Sequence, residues 1–325
     1  MNGSIADVPG ILVGHAQDPE AGTGCTVVLC EKGAVAGVDV RGGAPGTRET
    51  DALDPVNVVP CAHAIYLGGG SSFGLAGADG VMKYLEERRI GFDVKVTTVP
   101  IVPGAVIFDL FVGDPRVRPD ADMGYRACRA AGRVVPQGNV GAGTGASVGK
   151  AAGKDRAMKG GLGTASVRVG DLVVGAIAVV NCFGDVIDPD TGKIVGGALD
   201  AQGSGFANIM SLFLTGRQPA DPFAGNTTIG VIATNAAVDK AQAARLAMMA
   251  HDGFARAIDP IHTMHDGDTI FALGTGPVAA DLSVIGSLAA RAMAGAIANA
   301  VINADSAYGL PGHREVMARM ARRAG

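Results

Sequence analysis

Gly225-Asn226-Thr227-Thr228, running straight into Ile229-Gly230-Val231-Ile232-Ala233, is the stretch on which the reading of this chain turns. The apolar run predicts a strand over 228–234, and the Gly-Asn step before it is a turn signal. An Asn-Thr step at the mouth of a strand is also where a self-cleaving chain sets its nucleophile. Breaking the Asn226–Thr227 bond would give Thr227 a free α-amine beside its own hydroxyl, so that nucleophile and general base share one residue. An α-amine titrates near about pH 8, which leaves much of it neutral and basic at physiological pH. Taken alone, the tetrapeptide also reads as an ordinary turn entering a strand.

Outward from this point, strands are expected at 10–13, 25–30, 34–39, 64–67, 93–99 and 109–112. Helices are expected at 72–88 and 120–131. Val167-Arg168-Val169 and Leu172-Val173-Val174, joined at Gly170-Asp171, read as a tight hairpin within 167–180. Residues 200–226 carry Gly203, Gly205, Gly216, Pro219, Pro222 and Gly225 and read as a surface linker open to cleavage. Beyond Thr227 come a helix ending at 257, a strand at 269–273 and a long helix at 284–304. Strands and helices alternate in blocks, which predicts a layered α/β sandwich.

Composition narrows the class. The 325 residues are 48% hydrophobic and 18% charged, enough for a large buried core. Fifty glycines and 4% aromatics point to closely packed backbone layers rather than disorder. Net charge is −4 and the basic residues are scattered, which argues against a nucleic-acid partner. Cys25, Cys30, Cys61, Cys128 and Cys182 form no CxxC pair, and the histidines show no metal-ligand spacing, so no metal is expected. Isolated cysteines and an N-terminus without a basic, apolar leader predict a cytoplasmic protein. The apolar stretch 172–180 is too short for a bilayer, and 282–302 is interrupted by Arg291 and Asn299, so no membrane partner is expected.

Three further groups can carry chemistry. Gly141-Ala142-Gly143-Thr144-Gly145-Ala146-Ser147-Val148-Gly149-Lys150 looks like a phosphate loop, but Ala151 stands where that motif needs Ser or Thr. The alternative is a tight backbone path delivering Lys150 into a site, where it polarises a carbonyl or depresses a nearby amine. Asn181 ends an apolar strand and can donate to an oxyanion. Asp266 and Asp268, two apart at the entry to a strand, can orient an amine or a hydroxyl; the ligands of a calcium loop do not follow them.

Together these segments resemble one family, the self-processing N-terminal-nucleophile hydrolases that include the DmpA-type aminopeptidases and the nylon-oligomer (6-aminohexanoate-oligomer) endohydrolase. The likeness runs almost end to end, through Asp7-Val8-Pro9-Gly10, Val38-Asp39-Val40-Arg41-Gly42-Gly43 and Leu67-Gly68-Gly69-Gly70-Ser71-Ser72. Its most specific parts are Ala224-Gly225-Asn226-Thr227-Thr228 and the segment from Ile261 to Thr269, both closer to the nylon-hydrolase branch.

The resemblance implies a four-layer αββα sandwich forming one hydrolase domain over 1–325. That domain would be self-cleaved after Asn226 into chains 1–226 and 227–325. It implies Thr227 as nucleophile, Lys150 and Asn181 as the site lysine and asparagine, and Asp266 and Asp268 as the acidic pair. Asn181 and a backbone N–H would stabilise the oxyanion. The substrate would be a short peptide or ω-amino-acid oligomer, without a cofactor, and the assembly a tetramer of two-chain subunits. One departure is Phe108 in Ile107-Phe108-Asp109, where that branch has Tyr, which bears on substrate preference. Two alternatives stay open: an acyltransferase using the same threonine, and a non-enzymatic nucleotide-binding protein using the 141–150 loop.

Overall fold

One bent strand, Thr23–Val40 (β2), runs through both halves of the main sheet. The computed structural model describes residues 2–219 and 225–324. With β2 stand Leu12–Asp18 (β1), Thr47–Arg48 (β3), Ala62–Gly68 (β4), Gly104–Val106 (β5), Gly161–Val169 (β6), Leu172–Asn181 (β7), Thr227–Ala236 (β8) and Thr269–Val278 (β9). The order is β6-β7-β8-β9-β2-β4-β5-β3, with β1 also paired to β2. The first half of β2 pairs antiparallel with β4, and the register shifts between Leu29 and Ala34. Its second half pairs with β9 from Val35↔Gly274 to Val40↔Thr269. A bulge of this kind bends a strand, and here it folds the sheet into two facing leaves.

The leaves enclose one core and each carries a helix layer outside. Alternation along β7 shows how: Val173, Ile177 and Val179 point between the leaves, towards Val28, Ile65 and Phe271. Val174, Ala176, Ala178 and Val180 point the other way, towards the helices Lys240–Ala257 (α4) and Leu282–Ile302 (α5). Period-two patterning with apolar residues on both faces is what a strand buried on both sides requires. On the opposite leaf, Gly77–Glu86 (α1) and Ala121–Arg129 (α2) pack Val81, Leu85, Met123 and Ala127 against Val27, Leu29 and Tyr66. The result is the four-layer αββα sandwich expected above. Small residues permit the close approach: a Cβ on Gly163 of β6 would lie 2.1 Å from the Ala296 carbonyl oxygen of α5. By length and composition α5 could cross a membrane, but 72% of its apolar window is buried inside the protein.

The sequence reading differs from the structure at several points. Strands expected at 25–30 and 34–39 are one strand, β2. The helix expected over 72–88 begins as a 3-10 turn, Ser71–Ala76, before α1. The strand expected at 93–99 is a pair of two-residue strands, Phe92–Asp93 and Thr98–Val99. The strand expected at 109–112 is absent: Phe111 and Val112 line a cavity, and Asp109 turns inward to accept hydrogen bonds from Gly70 N–H (2.6 Å) and Thr23 Oγ1 (2.8 Å). In the expected linker, Ile209–Leu214 (α3) is a short helix capped by Asn208, and Ile209 is buried with its N–H on Asp185 Oδ2 at 2.7 Å. Residues 220–224 lie outside the described residues. Asn226 is 2% exposed, so the Asn226–Thr227 bond sits in the interior rather than on the surface.

Candidate active site

Strand register brings the site together. Thr227 is the first residue of β8 and pairs with Asn181, the last residue of β7. β9 runs parallel on the other side of β8, with Ile229 opposite Thr269. The turn entering β9 therefore lies beside the start of β8. Asn226 forms a β-bridge with Asp266, and Gly267 N–H donates to Asn226 O at 3.1 Å. The Thr227 hydroxyl donates to the same carbonyl oxygen. A Cβ on Gly267 would lie 2.9 Å from Thr227 Oγ1 and 2.7 Å from Ala44 O, so only glycine leaves that space open.

The two aspartates anchor different parts of this turn. Asp268 Oδ1 accepts from Thr228 N–H at 2.7 Å, fixing the residue after Thr227. Its Oδ2 accepts from His262 N–H at 3.1 Å and lies 2.8 Å from His262 Nδ1. Asp266 Oδ2 accepts from Thr263 N–H (3.0 Å) and Thr263 Oγ1 (2.5 Å), while its buried Oδ1 has no partner among the described residues. Burial first, and the charge of Asp268 second, push the Asp266 carboxyl up to about 6.

Lys150 arrives from the glycine-rich loop. After Ser147–Val148 pairs with Met158–Lys159, Gly149 takes φ +76° and turns the chain inward. Lys150 Nζ then shares its three N–H donors among four acceptors, Asn181 O (2.9 Å), Asn181 Oδ1 (2.9 Å), Gly225 O (3.1 Å) and Ser147 O (3.2 Å). Burial lowers its pKa to about 7. Asn181 Nδ2 donates to Gly225 O and to Phe108 O, each at 3.1 Å. Asn181 thus serves the carbonyl one residue before the Asn226–Thr227 bond, and the donor on the Asn226 carbonyl is the Gly267 backbone. The structure brings Thr227, Lys150, Asn181, Asp266 and Asp268 together around Gly225-Asn226, all buried.

Sequence reasoning did not single out four contributors. Gly267 acts through its backbone, which carries no residue-type signal. His262 and Thr263 were passed over, although both stand within six residues of Asp268. Lys159, wholly buried, donates to Ala146 O (2.8 Å), Gly160 O (2.9 Å) and Gly143 O (3.0 Å) and so ties down the loop that leads to Lys150.

Phe108 stands between two cavities. One, of about 120 Å³, is lined by Ala44, Ser71, Phe108, Asn226, Thr227 and His265. The other, of about 220 Å³, is lined by Phe108, Phe111, Ser147, Lys150, Tyr308 and Leu310 and does not reach Thr227. The Phe108 ring also packs on Gly225, where a Cβ would lie 2.3 Å from it. Among the described residues, no group of three or more His, Cys, Asp or Glu side chains could hold a metal ion.

The family model of peptidase family S58 matches residues 3–315. The chain is 45% identical to an uncharacterized aminopeptidase of Mycobacterium tuberculosis, over 96% of this chain and 97% of that one. It is 37% identical to the 6-aminohexanoate-oligomer endohydrolase of a Kocuria species, over 83% of this chain and 74% of that one. Among solved structures, the L-aminopeptidase D-Ala-esterase/amidase of Ochrobactrum anthropi, described as a variant of the Ntn-hydrolase fold, superposes with a TM-score of 0.72. That match has 19% identity and covers 99% of this chain and 94% of the other. A Burkholderia β-aminopeptidase superposes with a TM-score of 0.70 at 22% identity, covering 98% and 93%. Matched over nearly its whole length, this chain belongs to peptidase family S58 and is a hydrolase of peptide or amide bonds.

Proposed function

We propose that the chain cuts itself between Asn226 and Thr227, giving 1–226 and 227–325, and then uses Thr227 as an N-terminal nucleophile on short peptides or ω-amino-acid oligomers. The observation that carries this reading is the Asn226 carbonyl, which receives both the Thr227 hydroxyl and the Gly267 N–H (3.1 Å). In the uncut chain, Thr227 Oγ1 attacks the Asn226 carbonyl carbon. The Gly267 N–H stabilises the oxygen as it gains charge. The C–N bond breaks, the departing nitrogen takes the proton that Oγ1 gave up and becomes the Thr227 α-amine, and Asn226 is left as an ester on Oγ1. Water hydrolyses the ester, leaving a carboxylate on Asn226.

In the cut enzyme, the Thr227 α-amine takes the Oγ1 proton as Oγ1 attacks a substrate amide, then returns it to the leaving amine. Water releases the acyl group. Asp268 holds the strand through Thr228 N–H, and the unpartnered Oδ1 of Asp266 is available to the new amine. The small chain stays bound because it supplies β8 and β9, which sit between β7 and β2.

The test is to quench the processed protein during turnover of an activated ester and map the acyl group. The account expects it on the first residue of the small chain, Thr227. An acyl group on any other side chain would overturn it.

A further inference from the structure

In the uncut chain, residues 225 and 226 lie where an acyl group must lie if Thr227 is the nucleophile, so their contacts describe that half of the substrate site. Two are specific. The Asn226 carbonyl oxygen meets Gly267 N–H at 3.1 Å. The Gly225 carbonyl oxygen, one residue upstream, meets Lys150 Nζ and Asn181 Nδ2, each at 3.1 Å. Both upstream donors are buried. Once 225–226 leave the site, Lys150 keeps Ser147 O, Asn181 O and Asn181 Oδ1 for its three N–H groups, but Asn181 Nδ2 keeps only Phe108 O, so one of its two hydrogens loses its acceptor, and a buried donor without an acceptor is costly.

From this geometry we infer that the mature enzyme selects acyl groups carrying a second carbonyl one residue before the scissile amide. Its substrates are then N-acylated or internal residues rather than residues with a free α-amine. This rests on the proposed role of Thr227 and goes beyond it.

A free substrate α-ammonium would stand where the Asn226 nitrogen stands, next to the Gly225 carbonyl position. The neighbouring carbonyl position is held by two donors, Lys150 Nζ and Asn181 Nδ2, and an ammonium brings them no acceptor. Where Lys150 is protonated, a second ammonium beside it adds a like-charge penalty. The cavity beside Thr227 is lined by Ala44, Ser71, Phe108 and His265 among others, and no aspartate or glutamate is among the described residues that line it. An N-acyl carbonyl restores the acceptor that both donors had in the uncut chain. The cavity's volume of about 120 Å³ suits a short side chain at the scissile residue. Among the described residues, neither Oδ1 nor Nδ2 of the buried Asn226 side chain has a partner, so a small apolar side chain fits there at least as well as an amide.

The test uses matched chromogenic amides with one leaving group on the processed wild-type protein: alanyl and N-acetylalanyl p-nitroanilide, and the asparaginyl pair. The acetyl group adds the upstream carbonyl and removes the ammonium in one change. The expected result is a kcat/KM about tenfold or more higher for the acetylated member of each pair. Equal or better turnover of the free amines by a fully processed enzyme overturns this inference, pointing to ammonium capture by Asp266 Oδ1, and leaves the role of Thr227 standing. Should processed protein turn over neither, calorimetric binding of N-acetylalaninamide and alaninamide decides. Tighter binding of the acetylated amide supports the inference, and equal or weaker binding contradicts it.

Discussion

Gly267 donates its backbone N–H to the carbonyl oxygen of Asn226 at 3.1 Å, across the turn that leads into β9. The contact joins the residue before the nucleophile to the loop carrying both aspartates, and it leaves space for the Thr227 hydroxyl only because Gly267 has no side chain.

Gly267→Ala puts a methyl 2.9 Å from Thr227 Oγ1 and 2.7 Å from Ala44 O, so either the hydroxyl or the turn must shift. Displacements of about 1 Å at reacting atoms cost about 10²-fold in rate. We expect self-cleavage of Gly267→Ala to slow by about that factor. The half-life of the uncut chain after cell-free synthesis measures it, and a wild-type half-life would remove Gly267 from the account.

His262 tests how far support for the nucleophile extends. It lies 2.8 Å from Asp268 Oδ2 through Nδ1, and its backbone takes φ +57°. Asn tolerates that conformation and keeps a side-chain N–H donor, whereas Ala does neither. In the uncut Thr227→Ala background, adding His262→Ala should cost about 1–3 kcal/mol in denaturant unfolding, and His262→Asn under about 1. In the self-cleaving chain, Asn should process faster than Ala. Equal losses for the two would mean that the Asp268 contact carries nothing.

The pH dependence of processing follows from Asp266. Its carboxyl is raised to about 6 by burial and by Asp268, so it is ionised above that pH and takes up a proton below it. If the ionised form orders the turn around Asn226, the processing rate falls as pH drops through about 6. Asp266→Asn should flatten this acid limb while lowering the rate. An unchanged limb in the variant would assign it elsewhere.

Lys159 makes a stability prediction with a definite sign. Burial lowers its pKa from 10.5 to about 7. Between those values the folded chain has released a proton that the unfolded chain keeps, so stability rises with pH through the window and the penalty is fully present below about 7. Lys150 acts in the same direction. Lys159→Met in the uncut Thr227→Ala chain should reduce the slope of unfolding free energy between pH 7 and 10. It should also lose about 2–3 kcal/mol, because the carbonyls of Gly143, Ala146 and Gly160 lose their donor. An unaltered slope would show that Lys159 titrates normally.

What could be read from the sequence was periodic or end-defined. The hairpin of β6 and β7 and the start of β8 follow from alternation; Asn181 ends an apolar run, where local sequence favours a turn, and the family resemblance assigns it to the site. Thr227, Lys150, Asp266 and Asp268 each stood at an element boundary, where residue type is informative. No strand forms at 109–112 because Phe111 and Val112 are apolar for a different reason, as a cavity wall, and Asp109 is held by the distant Thr23 and Gly70. Lys159 was illegible because three separate backbone carbonyls make its site. Gly225-Asn226 was read as surface chain because glycine and proline mark breaks without telling a buried turn from an exposed one.

Intact-mass spectrometry of the purified wild type beside Thr227→Ala decides whether the chain cuts itself after Asn226. The account predicts that the wild type, 32.5 kDa as one chain, gives two species of about 10 and 22 kDa, the smaller beginning at Thr227. Thr227→Ala should remain a single chain. An uncut wild type, or a Thr227→Ala chain that still divides after Asn226, would contradict it.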